Sequence, residues 1–273
     1  MPKSIKFIAQ PLLSRGTSTP CVARTTVQTQ HLLQVVPFSE EGRNAVFEVG
    51  FRVMKRLIVL EDVLDRVGSQ IVAARAAIAR DGIPLQAGGQ AADVPAVVDL
   101  DQDAERFLYE AKLALRDTAG LFLPLHGREF DHKYHKVREW AEATYGADDQ
   151  LVQALHADAP WIERVLNMRN AIEHPNSPHA PLTIRNFILR SAGVPWVVDD
   201  PSWFMKGEQP SPLLQDMQLI ASNILTFFED ILIDGLRRHS RFPLTIFEIP
   251  ETERDPACPI RLRATIALNL PEP

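Results

Sequence analysis

Val46, Val53, Leu57, Leu60, Leu64, Val67 and Ile71 follow one another at steps of three, four and seven residues. That spacing draws one continuous apolar stripe down an α-helix. Ser39 stands in position to cap it, and Glu40 and Glu41 place negative charge in the first turn, where the helix dipole favours it. The stripe predicts a helix from Ser39 to about Arg80, ended by "DGIP". A helix of that length is unusual in a compact domain. Its stripe has to be covered by other helices, so the fold class this feature imposes is mostly α, a helical bundle.

Two further stripes supply the partners. Ala104, Phe107, Leu108, Ala111, Leu115 and Phe122 form the inner face of a helix starting near Asp101. Leu213, Met217, Ile220, Ile224, Phe227 and Ile231 alternate by four and three along a helix capped by Ser211, which ends near "RRHS". "FDHKYHKVREWAEATYG" reads as a more polar, peripheral helix, and "DDQLVQALH" as a short one. Asp158 as cap and Pro160 in the first turn predict a new helix start, which leads into "VLNMRNAIEHPN".

The remainder is extended or irregular. "LQAGGQAADVPAVV" has no period and reads as a loop. "LTIRNFIL" and "VPWVV" read as a hairpin around "RSAG", inserted before the last helix within residues 176–210. "SIKFIAQ" and "ARTTVQTQHLLQVV" are rich in β-branched residues and read as strands, while "FPLTIFEI" and "PIRLRATIAL" read as a closing antiparallel pair. The resulting division is an N-terminal β-segment (1–38), a helical domain (39–240) and a C-terminal β-segment (241–273).

Composition narrows the function classes. A net charge of -6 argues against broad, charge-driven adhesion to nucleic acid or anionic membrane, and leaves room only for a local basic groove. The longest charge-free helical run, "MQLIASNILTFF", is far too short to span a bilayer, and "MPKSIKFIAQPLL" lacks the apolar core of a signal peptide. Cys21 and Cys258 have no metal-binding spacing and make no disulfide framework, so a reduced, cytoplasmic setting without membrane contact is the expectation.

The segment "VLNMRNAIEHPN" carries the chemistry. On a helix, Trp161, Val165, Met168 and Ile172 share the core side. Arg169 lies at the edge of that stripe and His174 about 140° further round, so the pair brackets a polar sector that holds Leu166, Asn170 and Glu173. Pro175 ends the helix and leaves His174 beside unpaired carbonyls. A histidine here can move a proton near neutral pH. An arginine can hold a phosphate through two parallel hydrogen bonds and offset charge that grows in the transition state. Asn170 can orient either, and Glu173 can contact substrate. RNA brings its own nucleophile, the 2′-OH, so this set needs neither metal nor cofactor.

"RNAIEH" resembles the Arg-polar-x-x-x-His form of the motif of the HEPN superfamily, α-helical bundles that include many metal-independent ribonucleases of toxin–antitoxin, abortive-infection and CRISPR-linked systems. In that family the motif ends the penultimate core helix, as residues 158–174 precede 211–239 here. The likeness runs from about Ser39 to Ser240. It implies a HEPN-like helical bundle, a homodimer with the motif helices near the twofold axis, Arg169 and His174 as the catalytic pair, and Asn170 as the polar position. It implies RNA as substrate, with an antitoxin or regulatory protein as a possible partner in a defence or stress setting. The hairpin and the terminal β-segments lie outside the minimal bundle of the family. Some members are not enzymes, which leaves a non-catalytic module for dimerisation and for binding nucleotide or a partner as the alternative.

Spacing alone selects little. With 22 arginines and 8 histidines in the chain, chance yields about two matches over the three spacings of the motif. Arg24–His31 and Arg128–His135 match as well, but neither has the following Asn, the helix end and the long apolar helix downstream. Plainer uses of the same residues are an Arg169–Glu173 bridge one turn apart and His174 as a helix cap. Asp62, Asp65 and Glu110 are the candidates for a supporting acid. His132 and His135, with Asp131 and His126 nearby, offer metal-ligand spacing on a charged segment that reads better as a solvated face. "GIPLQAGG" lacks the Lys-Ser/Thr ending of a phosphate loop. Trp196, Trp203 and Phe204 could stack on bases, but packing of the hairpin is their commoner use.

Overall fold

The computed structural model describes residues 13–83, 94–131, 133–174, 176–190 and 197–266. Its backbone is mostly helical, with small antiparallel sheets. The long stripe forms α3 (Glu40–Asp81), 42 residues in one run. The Ser39 hydroxyl accepts from the Gly42 amide at 3.0 Å. Gly82 closes the helix at φ 70, a conformation that costs glycine little. Val46, Val53, Leu57, Leu60, Val67 and Ile71 are all buried. Against them lie α4 (Leu100–Ala119) and α8 (Leu213–His239), whose expected inner faces are buried too. Gly120 interrupts the second stripe, so Phe122 opens the short helix α5 (Phe122–His126) instead. The polar helix is α6 (Tyr134–Tyr145).

The expected hairpin is present and longer than read. Its inner ladder pairs β2 (Ile188–Arg190) with β3 (Val197–Asp199), and its outer ladder pairs β1 (Thr183–Arg185) with β4 (Ser202–Phe204). β5 (Ser211–Pro212) adds to the outer ladder. The hairpin is anchored by Trp203, which is fully buried and donates its indole N–H to Asp216 at 2.8 Å. Ser211 is not the helix cap that its position suggested. Its hydroxyl donates to Asp216 at 2.6 Å and accepts from Arg164 at 3.0 Å. The C-terminal pair forms as expected, β6 (Leu244–Glu248) against β7 (Leu262–Ile266).

The N-terminal β-segment is corrected. "SIKFIAQ" falls outside the described residues, but "ARTTVQTQHLLQ" is helical and Val35 and Val36 follow in a turn. Pro20–Val22 (α1) runs through π-helical Ala23–Gln28 into Thr29–Gln34 (α2). Tertiary packing overrides β-propensity here. Cys21, Val22, Thr25, Gln28, Thr29, Leu32 and Leu33 form one buried face. The hydroxyls of Thr25 and Thr26 donate to the carbonyls of Cys21 and Val22 one turn back, which satisfies polar groups that would otherwise be costly to bury. Gly50 permits the approach, because a Cβ there would lie 2.5 Å from the Thr25 carbonyl oxygen.

Candidate functional site

The helix that carries the motif is one element, α7 (Gln150–Glu173). The start expected at Asp158 does not exist. Asp149 caps the helix by accepting from the Leu151 amide at 2.9 Å. Pro160 lies within it, and Asp158 accepts from the Trp161 indole at 2.8 Å instead of capping an amide. Leu151, Val152, Leu155, Ala159, Ile162, Val165 and Met168 make one buried face through the proline, so apolar burial offsets the backbone hydrogen bond that Pro160 cannot make. Trp161 and Ile172 are only half-buried, at the border of that face.

Arg169 emerges at the edge of the face with its side chain 14% exposed. Its guanidinium pairs with Glu173 at 3.0 Å and lies 5.3 Å from the centre of the Tyr109 ring on α4. Its Nε is buried and finds no partner among the described residues. Glu173 also accepts from Lys112 of α4 at 2.9 Å. That hydrogen bond holds the Glu173 carboxyl below its usual range, and the positive charges of Arg169 and His174 act in the same direction. The simple one-turn bridge is therefore real, but it is part of a three-member chain that joins α7 to α4.

His174 closes α7. Its amide donates to the Asn170 carbonyl at 2.9 Å, and its backbone then turns extended. Its side chain is exposed and makes no hydrogen bond among the described residues. Asn170 is half-buried and faces a cleft of about 320 Å³ between α4, α6 and α7, lined also by Lys112, Lys133, His135, Asn167 and Glu163. The end of α7 thus forms a ledge with Arg169 on one side and Asn170 and the cleft on the other, and the exposed His174 imidazole at its end has no hydrogen bond among the described residues.

The candidates for a supporting acid are elsewhere. Asp62 and Asp65 bind Arg15 at 2.9 and 2.6 Å, and Glu110 binds Arg56 at 3.0 Å. The acid that does touch the motif is Glu173. Among the described residues no group of three or more metal-ligating side chains assembles. His135 lines the cleft, His132 lies outside the described residues, and His126 is buried among Phe122, Trp140 and Tyr145. Burial lowers the His126 imidazole to about 4, which keeps it neutral. Of the aromatic residues suggested for stacking, Trp203 is core, Phe204 is half-buried against the Arg185 guanidinium at 4.4 Å, and Trp196 lies outside the described residues.

Tyr109, Lys112, Lys133 and Asn167 are absent from the motif, and sequence reasoning missed them. Asn167 is one turn before Asn170 on the same face, and that spacing was the available signal. Tyr109 and Lys112 flank the inner stripe of α4. Nothing local to α4 says which helix covers that flank. No helix among the described residues is long and apolar enough to cross a membrane. No protein-family model, curated protein or solved structure matches the chain.

Proposed function

We propose that the chain is a HEPN-type, metal-independent endoribonuclease. The observation that carries this reading is the end of α7, where Arg169 is held in place by Glu173 while the exposed His174 side chain makes no hydrogen bond among the described residues, beside a cleft with basic lining. His174 takes the proton from a ribose 2′-OH. The 2′ oxygen bonds to phosphorus, the bond from phosphorus to the 5′ oxygen breaks, and solvent or the second histidine of a dimer protonates the leaving oxygen. Arg169 offsets charge on the phosphorane, and Asn170 orients the phosphate. Glu173, read from sequence as a substrate contact, has both carboxylate oxygens engaged by Arg169 and Lys112. Its role in this scheme is to fix the guanidinium.

The test is cleavage of single-stranded RNA in EDTA by the purified full-length chain. Expected products carry 2′,3′-cyclic phosphate and 5′-hydroxyl ends, with DNA left intact for want of a 2′-OH. His174→Ala should lower the rate by ~10²–10⁴ with little change in the melt, because the residue is exposed. Cleavage that survives both His174→Ala and Arg169→Ala would overturn the reading. The other reading, a non-catalytic HEPN-type module that dimerises and binds nucleotide or a partner, is favoured by one observation: the Arg169 guanidinium is already paired with Glu173 and stacked on Tyr109. Binding of RNA without cleavage of any pool would select it. The homodimer, the antitoxin and the defence setting follow from the family resemblance. Light scattering tests the first of these.

A further inference from the structure

The cleft between α4, α6 and α7 has a chemistry of its own. Lys112, Lys133 and His135 line it together with two amides, Asn167 and Asn170. Glu163 is the one carboxylate among those lining residues, and it is bound by Arg138 at 2.7 Å. The cations are less committed. Lys112 spends one donor on Glu173, and an ammonium has three. The Lys133 ammonium stands 3.8 Å from Asp131, whose other oxygen already accepts from the Lys133 amide. Two ammonium groups and an imidazole therefore face a single carboxylate in the lining. The wall is apolar where Ile162 and Leu166 of α7 face it. A volume of about 320 Å³ is at the small end of ligand sites. It suits a single nucleotide, with an anion at one end and a flat, hydrogen-bonding ring at the other.

We infer that this cleft binds one nucleotide unit, its phosphate against Lys112, Lys133 and His135 and its base against Asn167 and Asn170 over Leu166. The assignment rests on the ribonuclease reading for its source. Asn170 belongs to both cleft and motif, so a strand whose scissile phosphate lies at Arg169 and His174 places a neighbouring nucleotide here. A free nucleotide has the same chemistry and is the other possible source. The acidity of the whole chain, -6, is no obstacle, because a local cluster of cations governs contact with a phosphate at distances within the Debye length.

The experiment uses the full-length chain and a fluorescein-labelled single-stranded ten-mer with 2′-O-methyl sugars, which cannot be cleaved by 2′-OH attack. Affinity is read by anisotropy over a salt series. Lys133→Ala, His135→Ala and Asn167→Ala change side chains that are exposed or half-buried, and each variant is checked by its melt. The expected result is a fivefold or greater loss of affinity for each. The slope of log K against log salt should also fall by about 0.7 for Lys133→Ala, as for one lost phosphate contact on a single strand. Wild-type affinity in all three variants would overturn the inference, whatever the cleavage assay gives. Weakened binding in a chain that cleaves no RNA would keep the cleft and overturn the ribonuclease reading instead. AMP as competitor separates the sources. Displacement of the ten-mer at micromolar AMP assigns the cleft to free nucleotide, and displacement only by a second oligonucleotide assigns it to the strand.

Discussion

Two carboxylates, Glu229 on α8 and Glu173 at the end of α7, are each clamped by two cations, and they are put to opposite uses. Glu229 is wholly buried. Arg24 grips both its oxygens, the Gln28 amide donates to it at 2.6 Å, and Arg261 donates at 2.9 Å. The carbonyl oxygen of the Gln28 side chain then accepts from the Arg261 and Leu262 amides at 2.6 and 2.7 Å. The N-terminal helical segment and the C-terminal β-pair are thereby tied to α8, and the carboxylate has no valence left for a ligand. Glu173 is 29% exposed, with partners from α4 and from its own helix. Beside it the exposed His174 imidazole has no hydrogen bond among the described residues, and the buried Nε of Arg169 has no partner among them. A saturated, dry cluster holds a fold together, whereas an unsaturated, wet one is available to bind.

The largest effect expected from this contrast is on stability. Glu229→Ala would leave two arginines and an amide facing an apolar hole, and breaking a buried ion pair from one side typically costs about 3–5 kcal/mol. The denaturant midpoint should fall accordingly, and the C-terminal β-pair should lose its amide protection from exchange. Glu173→Ala should cost under about 1 kcal/mol, because solvent screens that cluster. Equal losses in the two variants would erase the distinction between them.

Acid adds a smaller and directional test. Asp230, next in sequence to Glu229, is pushed up to about 6, mainly by burial and further by Asp158 and Glu229, against the pull of Arg261 and Arg24. A raised carboxyl favours the folded state fully below its ordinary 3.8 and loses that contribution as pH rises through about 6. Asp230→Asn should therefore melt above the wild type at pH 7, with the gap closing toward pH 4. His126 works the other way. Its imidazole is lowered to about 4, so its contribution is complete above 6.5 and is lost as pH falls toward 4. Comparing variant with wild type at each pH removes that background. A gap that does not change with pH would show that Asp230 is ionised in the folded chain at both ends of the range.

The same contrast governs what the sequence could disclose. The stripes of α3, α4 and α8 and the closing β-pair were legible because each is a local period that meets its partner by simple apolar contact. The Arg169–Glu173 bridge was legible as a one-turn spacing. The Glu229 cluster was not, because its members come from positions 24, 28, 229 and 261, and a buried charge is visible only once its partners converge. Residues 23–36 were misread for the same reason. Thr25 and Thr29 favour strands by type, and the burial that holds them in a helix comes from packing on α3 and α8. At Pro160 a local breaker signal was outweighed by a buried face that continues on both sides of it.

The smallest effect on stability should be the most informative about binding. Glu173→Gln keeps the shape of the side chain and removes its charge. Lys112 and Arg169 then lose the carboxylate that holds them, and both lie beside the ledge where a phosphate would bind. Stability above pH 5 should fall by less than about 1 kcal/mol. The small contribution of Glu173 follows from its lowered carboxyl. It is complete above the ordinary 4.5 and lost as pH falls below it, so wild type and variant should converge in acid. Affinity for the uncleavable ten-mer should rise severalfold at low salt, since two cations no longer share an internal anion, and the salt slope should steepen. If cleavage occurs, its rate should fall while binding improves, because an untethered guanidinium is worse placed for the phosphorane. Unchanged affinity would mean that Glu173 does not restrain the cations of the ledge, and the cluster would then be a second structural clamp like that at Glu229.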